Sequence, residues 1–403
     1  MELQFPPLPD YANLLKFMVV ALAAVGTVQP KLATDADKDL YSPDSLPQRF
    51  VTNKLVTTKP DILDILDYHN TTSLDDGEVG ESRRTKHFVL AYVTPWNNKG
   101  YDRAMKFAHK FTHISPVWLQ AHTNKEASRY VIKGTHDIDA GWVERLRTAN
   151  KDLRIVPRLL LEGFDSPAYQ KLFYDADYAH ALASVIGKCL KKYELDGVVL
   201  EMWQQLNEDV HRRAMRNAIK TIADKMSKDG FETILVVPPS GGENLPGRFR
   251  TEDFNFLASS VKAFSVMTYD HPRTYSSAGA IAPLPWVIDS IESIVPEAKE
   301  KSKRKKILLG LNHYGYDFSR KSGANALTSS AYLDQLAKYR PSLQWDATGR
   351  EHVYKYSDET GEHIVHYPTL KSLDERINLS IMMNVGLAIW DLGQGLEYFL
   401  DLL

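Results

Sequence analysis

The chain has 403 residues, 43% of them hydrophobic and 25% charged, which describes an ordinary globular protein large enough for a barrel of about 250 residues plus appendages. A formal net charge of -2 gives no basic field for nucleic acid, so that class of partner is not expected. The one cysteine, Cys189, cannot form an internal disulfide and lies in an apolar helical pattern, so it reads as a small buried hydrophobe rather than a reactive thiol.

From the N-terminus, Phe17 to Val28 is a 12-residue apolar run preceded by Lys16. It is too short for a span of about 20 residues and fits the core of a signal peptide. The preceding stretch, with Glu2, Asp10 and three prolines, is a poor leader for one, so Met18 as initiator and an uncleaved anchor both stay open. Residues 1–28 are therefore a signal-like or anchor-like segment, and no stable membrane span is expected. Residues 29–85 read as a partly disordered leader with local helix near Asp61 to Tyr68 and an acidic stretch from Asp75 to Glu81. Asn70-Thr71-Thr72 is a glycosylation sequon in a polar, loop-like stretch and suits a secretory route. Asn378-Leu379-Ser380 is a second sequon, weaker because it lies in a helical pattern.

From His87 onward, short apolar runs alternate with longer amphipathic ones. The runs are His87–Val93, Thr112–Val117, Arg154–Leu161, Gly197–Met202, Thr233–Pro238, Ala263–Met267, Ile307–Leu311 and Gly386–Trp390. Helical patterns between them include Tyr101–Lys110, Gly141–Asn150, Tyr169–Lys192, Asn207–Ser227, Trp286–Val295 and Leu370–Met383. Eight strand-helix alternations predict an α/β (β/α)8 TIM barrel over 86–403. A doubly wound sheet is the runner-up, disfavoured because no Gly-x-Gly-x-x-Gly follows the first strand. The interval from about 316 to 368 holds a helix near Ser330–Tyr339 and a hairpin around Glu359-Thr360-Gly361, and reads as a small α+β insertion between the seventh and eighth strands.

Function in such barrels sits at the C-terminal strand ends. That rim carries Tyr92, Trp96, Trp118, Glu162, Glu201, Trp203, Met267, Tyr269, Asp270, Asn312, Tyr314, Trp390 and Asp391. It is rich in aromatics, which stack on the apolar faces of sugar rings, and in amides and carboxylates, which bond hydroxyls. Any one of these aromatics is as readily explained by packing of the barrel top. The 13 histidines show no metal-ligand spacing, so neither metal nor cofactor is expected. Lys299 to Lys306 is a basic run read as a solvated helix end rather than a glycan or lipid site.

The stretch Asp196-Gly197-Val198-Val199-Leu200-Glu201-Met202-Trp203 resembles the signature strand of the glycoside hydrolase family 18 chitinases, Asp-x-x-Asp-x-Asp-x-Glu. Asp196 and Gly197 match its opening. Val199 stands for the second acid, Glu201 for the third, and Trp203 for the proton-donating Glu. Met267-Thr268-Tyr269-Asp270 is similar to the family's Met-x-Tyr-Asp, and Trp390 to the tryptophan that floors its sugar site. Thr112–Leu119, Ile155–Leu160, Tyr367–Leu373 and Leu392–Leu396 are similar to chitinase-like members without the donor. What the resemblance implies is a secreted or lysosomal, non-catalytic lectin for N-acetylglucosamine-type oligosaccharides, with a scavenger-receptor-like protein as a further partner. Strand alternation places Val199, Glu201 and Trp203 on one face, so Trp203 is expected as a plug or a stacking surface in the mouth. Two residues along a strand is about 6.6 Å, more than the extra methylene of Glu201 recovers, and a general acid must reach the leaving oxygen. Hydrolysis through Glu201 or Glu162, and a scaffold that binds a receptor through its exterior, are the rival readings. For Glu201 the bland account is a buried carboxylate satisfied by Tyr269 or a neighbour.

Overall fold

The computed structural model describes residues 55–72, 83–97, 99–124, 129–205, 211–239, 248–296, 302–319 and 321–403. The signal-like segment, the acidic stretch from Asp75 to Glu81 and the start of the basic run fall outside them.

A docked helix, α1 (Ile62–Thr72), precedes the barrel. Asp61 caps it, accepting from the Leu63 N–H at 2.8 Å, and Ile65 and Tyr68 bury its inner face, Tyr68 meeting Tyr398 edge-on at 5.0 Å. Asn70 is exposed in its last turn, so the first sequon lies on a helix end rather than in a loop. The second sequon is buried in a helix: Ser380 is fully inaccessible and Asn378 accepts from Arg84 at 2.9 Å.

The barrel strands are β1 (Val89–Val93), β2 (His113–Pro116) continued by β3 (Leu119–Asn124), β5 (Arg154–Ile155) continued by β6 (Arg158–Leu161), β7 (Gly197–Glu201), β8 (Glu232–Val237), β9 (Ala263–Val266), β10 (Ile307–Asn312) and β16 (Gly386–Trp390). The eleven-segment sheet runs β4-β3-β6-β7-β8-β9-β10-β16-β1-β2-β5, β4 (Arg129–Lys133) being an antiparallel flap on β3. Its two ends join covalently, since β5 pairs with β2 while its continuation β6 pairs with β3 and β7. The result is a curled parallel sheet that closes on itself, the predicted TIM barrel, and all eight predicted strands are present.

Around it lie α2 (Lys99–Lys106), α3 (Ala140–Ala149), α4 (Ser166–Tyr174), α5 (Ala176–Lys192), α6 (Arg212–Lys228), α7 (Thr251–Leu257), α8 (Pro272–Ser277), α9 (Leu284–Ile294) and, after the insertion, α11 (Leu370–Met383). The helix expected over Tyr169–Lys192 is two, because Asp175 ends α4 and caps α5 through the Asp177 N–H. Cys189 is buried in α5, where burial pushes its thiol up and keeps it unreactive. Between β10 and α11, β11 (Gly315–Ser319), β12 (Gly323–Leu327), β13 (Gln344–Asp346), β14 (Glu351–Asp358) and β15 (Gly361–His366) form an antiparallel sheet in the order β12-β11-β15-β14-β13, with α10 (Ser329–Tyr339) alongside.

Two apolar clusters separate inside from outside. Leu90, Tyr92, Val117, Val156, Val199, Ile234, Val236 and Leu308 fill the lumen, whereas Ile114, Trp118, Leu119, Leu159, Val198, Leu200, Met202 and Trp203 belong to the larger layer between sheet and helices. In β2/β3 the alternation breaks. Ile114 pairs with Ile155 but Leu119 with Leu159, so five steps on one strand oppose four on its neighbour, a bulge that sends both Trp118 and Leu119 outward.

Candidate functional site

The signature strand does its structural work at the bottom of the barrel. Asp196 accepts from the Ile155 N–H at 2.8 Å and from Arg147 and Arg154 at 3.0 and 3.2 Å. A Cβ on Gly197 would meet the Glu232 carbonyl oxygen at 2.2 Å, so only glycine lets β7 and β8 approach there. Beside it Glu232 takes Lys262 at 2.7 Å and His113 at 2.8 Å. Burial raises its carboxyl, but those two partners outweigh burial and pull it down to about 2. Burial lowers His113, leaving a neutral imidazole donor to that carboxylate.

At the top, β7 ends on Glu201 and the chain turns into a short 3-10 segment, Trp203–Gln205. Met202 and Trp203 therefore both go to the helix side. Trp203 is 1% exposed, its indole edge-on to Phe249 at 4.7 Å with the Arg212 guanidinium over the ring at 5.9 Å. The expectation of Trp203 as a plug or stacking surface in the mouth fails, because two-residue alternation stops where the strand stops. Trp118 fails similarly: the bulge turns it outward, where its indole donates to the Tyr101 hydroxyl at 2.8 Å and packs on Trp142.

Several of the other candidates do gather. Val199 and Val156 face the lumen, so Glu201 and Arg158, two residues on in each strand, rise above them. Arg158 Nε donates to Glu201 Oε2 at 2.6 Å, with side-chain exposures of 16 and 19%. Tyr92 stands in the lumen, donating to Ser265 at 3.0 Å, 5.1 Å from the half-buried Trp390 ring. Burial pushes the hydroxyls of Tyr92 and Tyr269 well up, the Glu201 charge adding to the rise and the Arg158 charge opposing it. Met267 packs on the lumen cluster and accepts from Gln204 at 3.6 Å.

The remaining rim residues are peripheral or structural. Trp96 is 68% exposed. Glu162, in phase with Arg158 and Leu160, is exposed with His122 3.5 Å away. Asp270 accepts from Tyr314 at 2.6 Å and Tyr316 at 3.2 Å. Asn312 is buried and donates to the Tyr314 carbonyl. Asp391 is inaccessible, taking Thr94, Asn97, Gln394 and the Gly393 N–H, and burial raises its carboxyl despite them. Sequence reasoning missed Arg158 and Ser265. Arg158 had a readable signal, a charged residue in phase with Val156 inside an otherwise apolar strand.

With the geometry in place, comparison with known proteins is decisive at the family level. A profile of the glycosyl hydrolases family 18 matches residues 89–395, the whole barrel and its insertion. The chain belongs to family 18. Among curated relatives, cortical fragment-lytic enzymes of Bacillus anthracis and Bacillus subtilis (strain 168) are 24% and 23% identical over 239 and 249 residues, 57% and 60% of this chain. The match spans only about half of those family 18 relatives, 54% and 56% of their length. Among solved structures, the spore cortex-lytic enzyme SleL of Bacillus megaterium QM B1551 superposes with a TM-score of 0.64 at 18% identity, covering 78% of this chain and 72% of that one. A plant class V chitinase mutant from Cycas revoluta in complex with (GlcNAc)3 gives 0.63 at 14% identity, covering 78% and 97%. At such identities these likenesses establish the shared barrel fold.

Proposed function

We propose that this family 18 barrel binds amino-sugar oligosaccharides of the N-acetylglucosamine type at its C-terminal mouth and does not cleave them. The observation that carries this is the fate of the donor position. Trp203 is turned out under the helices and has no proton to give at neutral pH, and the one carboxylate that β7 retains at the mouth, Glu201, is already bonded to a guanidinium. Family 18 chemistry uses the substrate's acetamide as nucleophile and one protein acid for the leaving oxygen, so that acid is what hydrolysis cannot lose. The half-buried Trp390 and Tyr269 meanwhile keep aromatic surface suited to a sugar ring, Tyr92 being buried against Trp390.

The same reading places the protein with chitinase-like lectins resembling chitinase domain-containing protein 1, exported through the secretory pathway to the cell exterior or lysosome. A second reading, weak hydrolysis, has its own support: Glu162 is exposed on the mouth-facing side with His122 beside it, and the relatives are named as lytic enzymes and chitinases. Calorimetry with N-acetylglucosamine oligomers, run beside turnover of a chromogenic chitobioside, separates the two. Saturable binding without product is expected; product formation that disappears in Glu201→Gln or Glu162→Gln would replace the lectin reading with the enzyme.

A further inference from the structure

The cation in the barrel mouth has more capacity than its partner uses. A guanidinium carries five N–H donors in a planar fork. Arg158 spends only Nε, on Glu201 Oε2. Among the described residues its two Nη nitrogens have no hydrogen-bond partner, and neither does Glu201 Oε1, although the guanidinium is mostly buried. The unused end of the fork is two coplanar N–H groups, the geometry that a carboxylate fills with two parallel charge-assisted bonds. The ion pair with Glu201 holds the plane of the guanidinium, whose residue lies level with Val199 in the register, two residues below Glu201. The lumen there is low in dielectric, built from Val156, Val199 and Tyr92 with Trp390 packed on them.

We infer that Arg158 is the specificity-determining residue of the mouth and that its open edge selects a carboxylate-bearing sugar, so that the preferred glycan is an acidic oligosaccharide alternating amino sugar and uronic acid rather than neutral chitin. The inference rests on the saccharide reading above and goes beyond it by naming the sugar class. The charges facing the site give it a sign. Glu201, held on Nε, repels an incoming carboxylate; Asp270 is occupied by Tyr314 and Tyr316, and Glu162 sits at the exposed rim beside His122. Removing the Glu201 charge therefore strengthens acidic-sugar binding while leaving a neutral sugar little affected.

The test is calorimetry on the full chain with three probes: a hexasaccharide alternating N-acetylglucosamine and glucuronic acid, the methyl ester of that hexasaccharide, and the N-acetylglucosamine trimer. The free acid is expected to bind at least about tenfold more tightly than its ester, tenfold corresponding to about 1.4 kcal/mol. Arg158→Lys keeps the ion pair and loses the fork, so it should narrow the gap between acid and ester and spare the trimer. Glu201→Gln should widen the gap. If acid and ester bind alike while the trimer binds, the acidic-sugar inference is overturned and the neutral lectin reading stands. If acid, ester and trimer all fail to bind, both fall. Should Arg158→Lys fold poorly, the direction of the Glu201→Gln shift decides alone.

Discussion

Trp203→Ala distinguishes a residue that holds the barrel wall from one that meets sugar. The indole is 1% exposed and packs against Phe249, itself 1% exposed, in an edge-to-face contact at 4.7 Å. Truncating a fully buried tryptophan costs about 3–5 kcal/mol, of which the aromatic pair supplies about 0.5–1.5. With a guanidinium m-value of about 6 kcal/mol/M or more for a chain of this size, a loss of about 4 kcal/mol moves the unfolding midpoint down by about 0.6 M. Equilibrium unfolding followed by tryptophan fluorescence and circular dichroism reads that shift. Calorimetry of the same variant with the N-acetylglucosamine trimer should return the wild-type affinity within about twofold, since no part of the ring faces the lumen. A variant of unchanged stability that has lost the sugar would refute the argument and return Trp203 to the mouth.

Two other perturbations bear on the top and the bottom of the barrel. Trp390→Ala should weaken trimer binding by about three- to tenfold, the value of one aromatic face, while unfolding midpoints move little because the ring is only half-buried. Glu232→Gln should flatten the acid limb of the stability curve. The folded carboxyl lies near 2 against an ordinary 4.5, so its stabilisation is present above about pH 4.5 and lost as pH falls toward 2; the lowered His113 adds loss below about pH 6.5. The carboxylate is partly exposed, so its share is at most about 3 kcal/mol, and unfolding midpoints at pH 7, 5 and 3 should converge between wild type and variant as pH drops.

The barrel was legible because its signal is redundant: eight apolar runs at a steady spacing survive an error in any one. The site was less so, because it depends on which way individual side chains point. Both misplaced tryptophans fell where the two-residue period fails, Trp118 at a bulge of one residue and Trp203 two residues past the end of a strand. Pro116 is the one mark of the first break, since proline inside a strand points to an edge or a bulge, whereas Leu200-Glu201-Met202-Trp203 carries no turn residue at the second. Tyr92, Glu201 and Trp390 lie inside unbroken strands or end them, and Tyr92 and Trp390 lie with the lumen cluster while Glu201 stands in phase with Val199. The docked helix α1 was half visible: its local pattern was clear, but its burial depends on Tyr398 and α10, more than two hundred residues away in the chain.

The exchange at the mouth follows from the same geometry. A carboxylate left alone above Val199, with its neighbour acid replaced by valine, would be a desolvated charge without a partner, a cost of several kcal/mol. The register that sets Leu160 opposite Glu201 also sets Arg158 opposite Val199, two residues lower on the adjacent strand and on the same face, within reach of that carboxylate. A guanidinium at this position satisfies Glu201 at 2.6 Å and at the same time turns an acid site into one with open donors. The tryptophan past the end of β7 and the guanidinium at the start of β6 are thus separate features of adjoining strands. On the proposed reading, the first leaves hydrolysis without its proton donor and the second selects among the sugars held at the mouth.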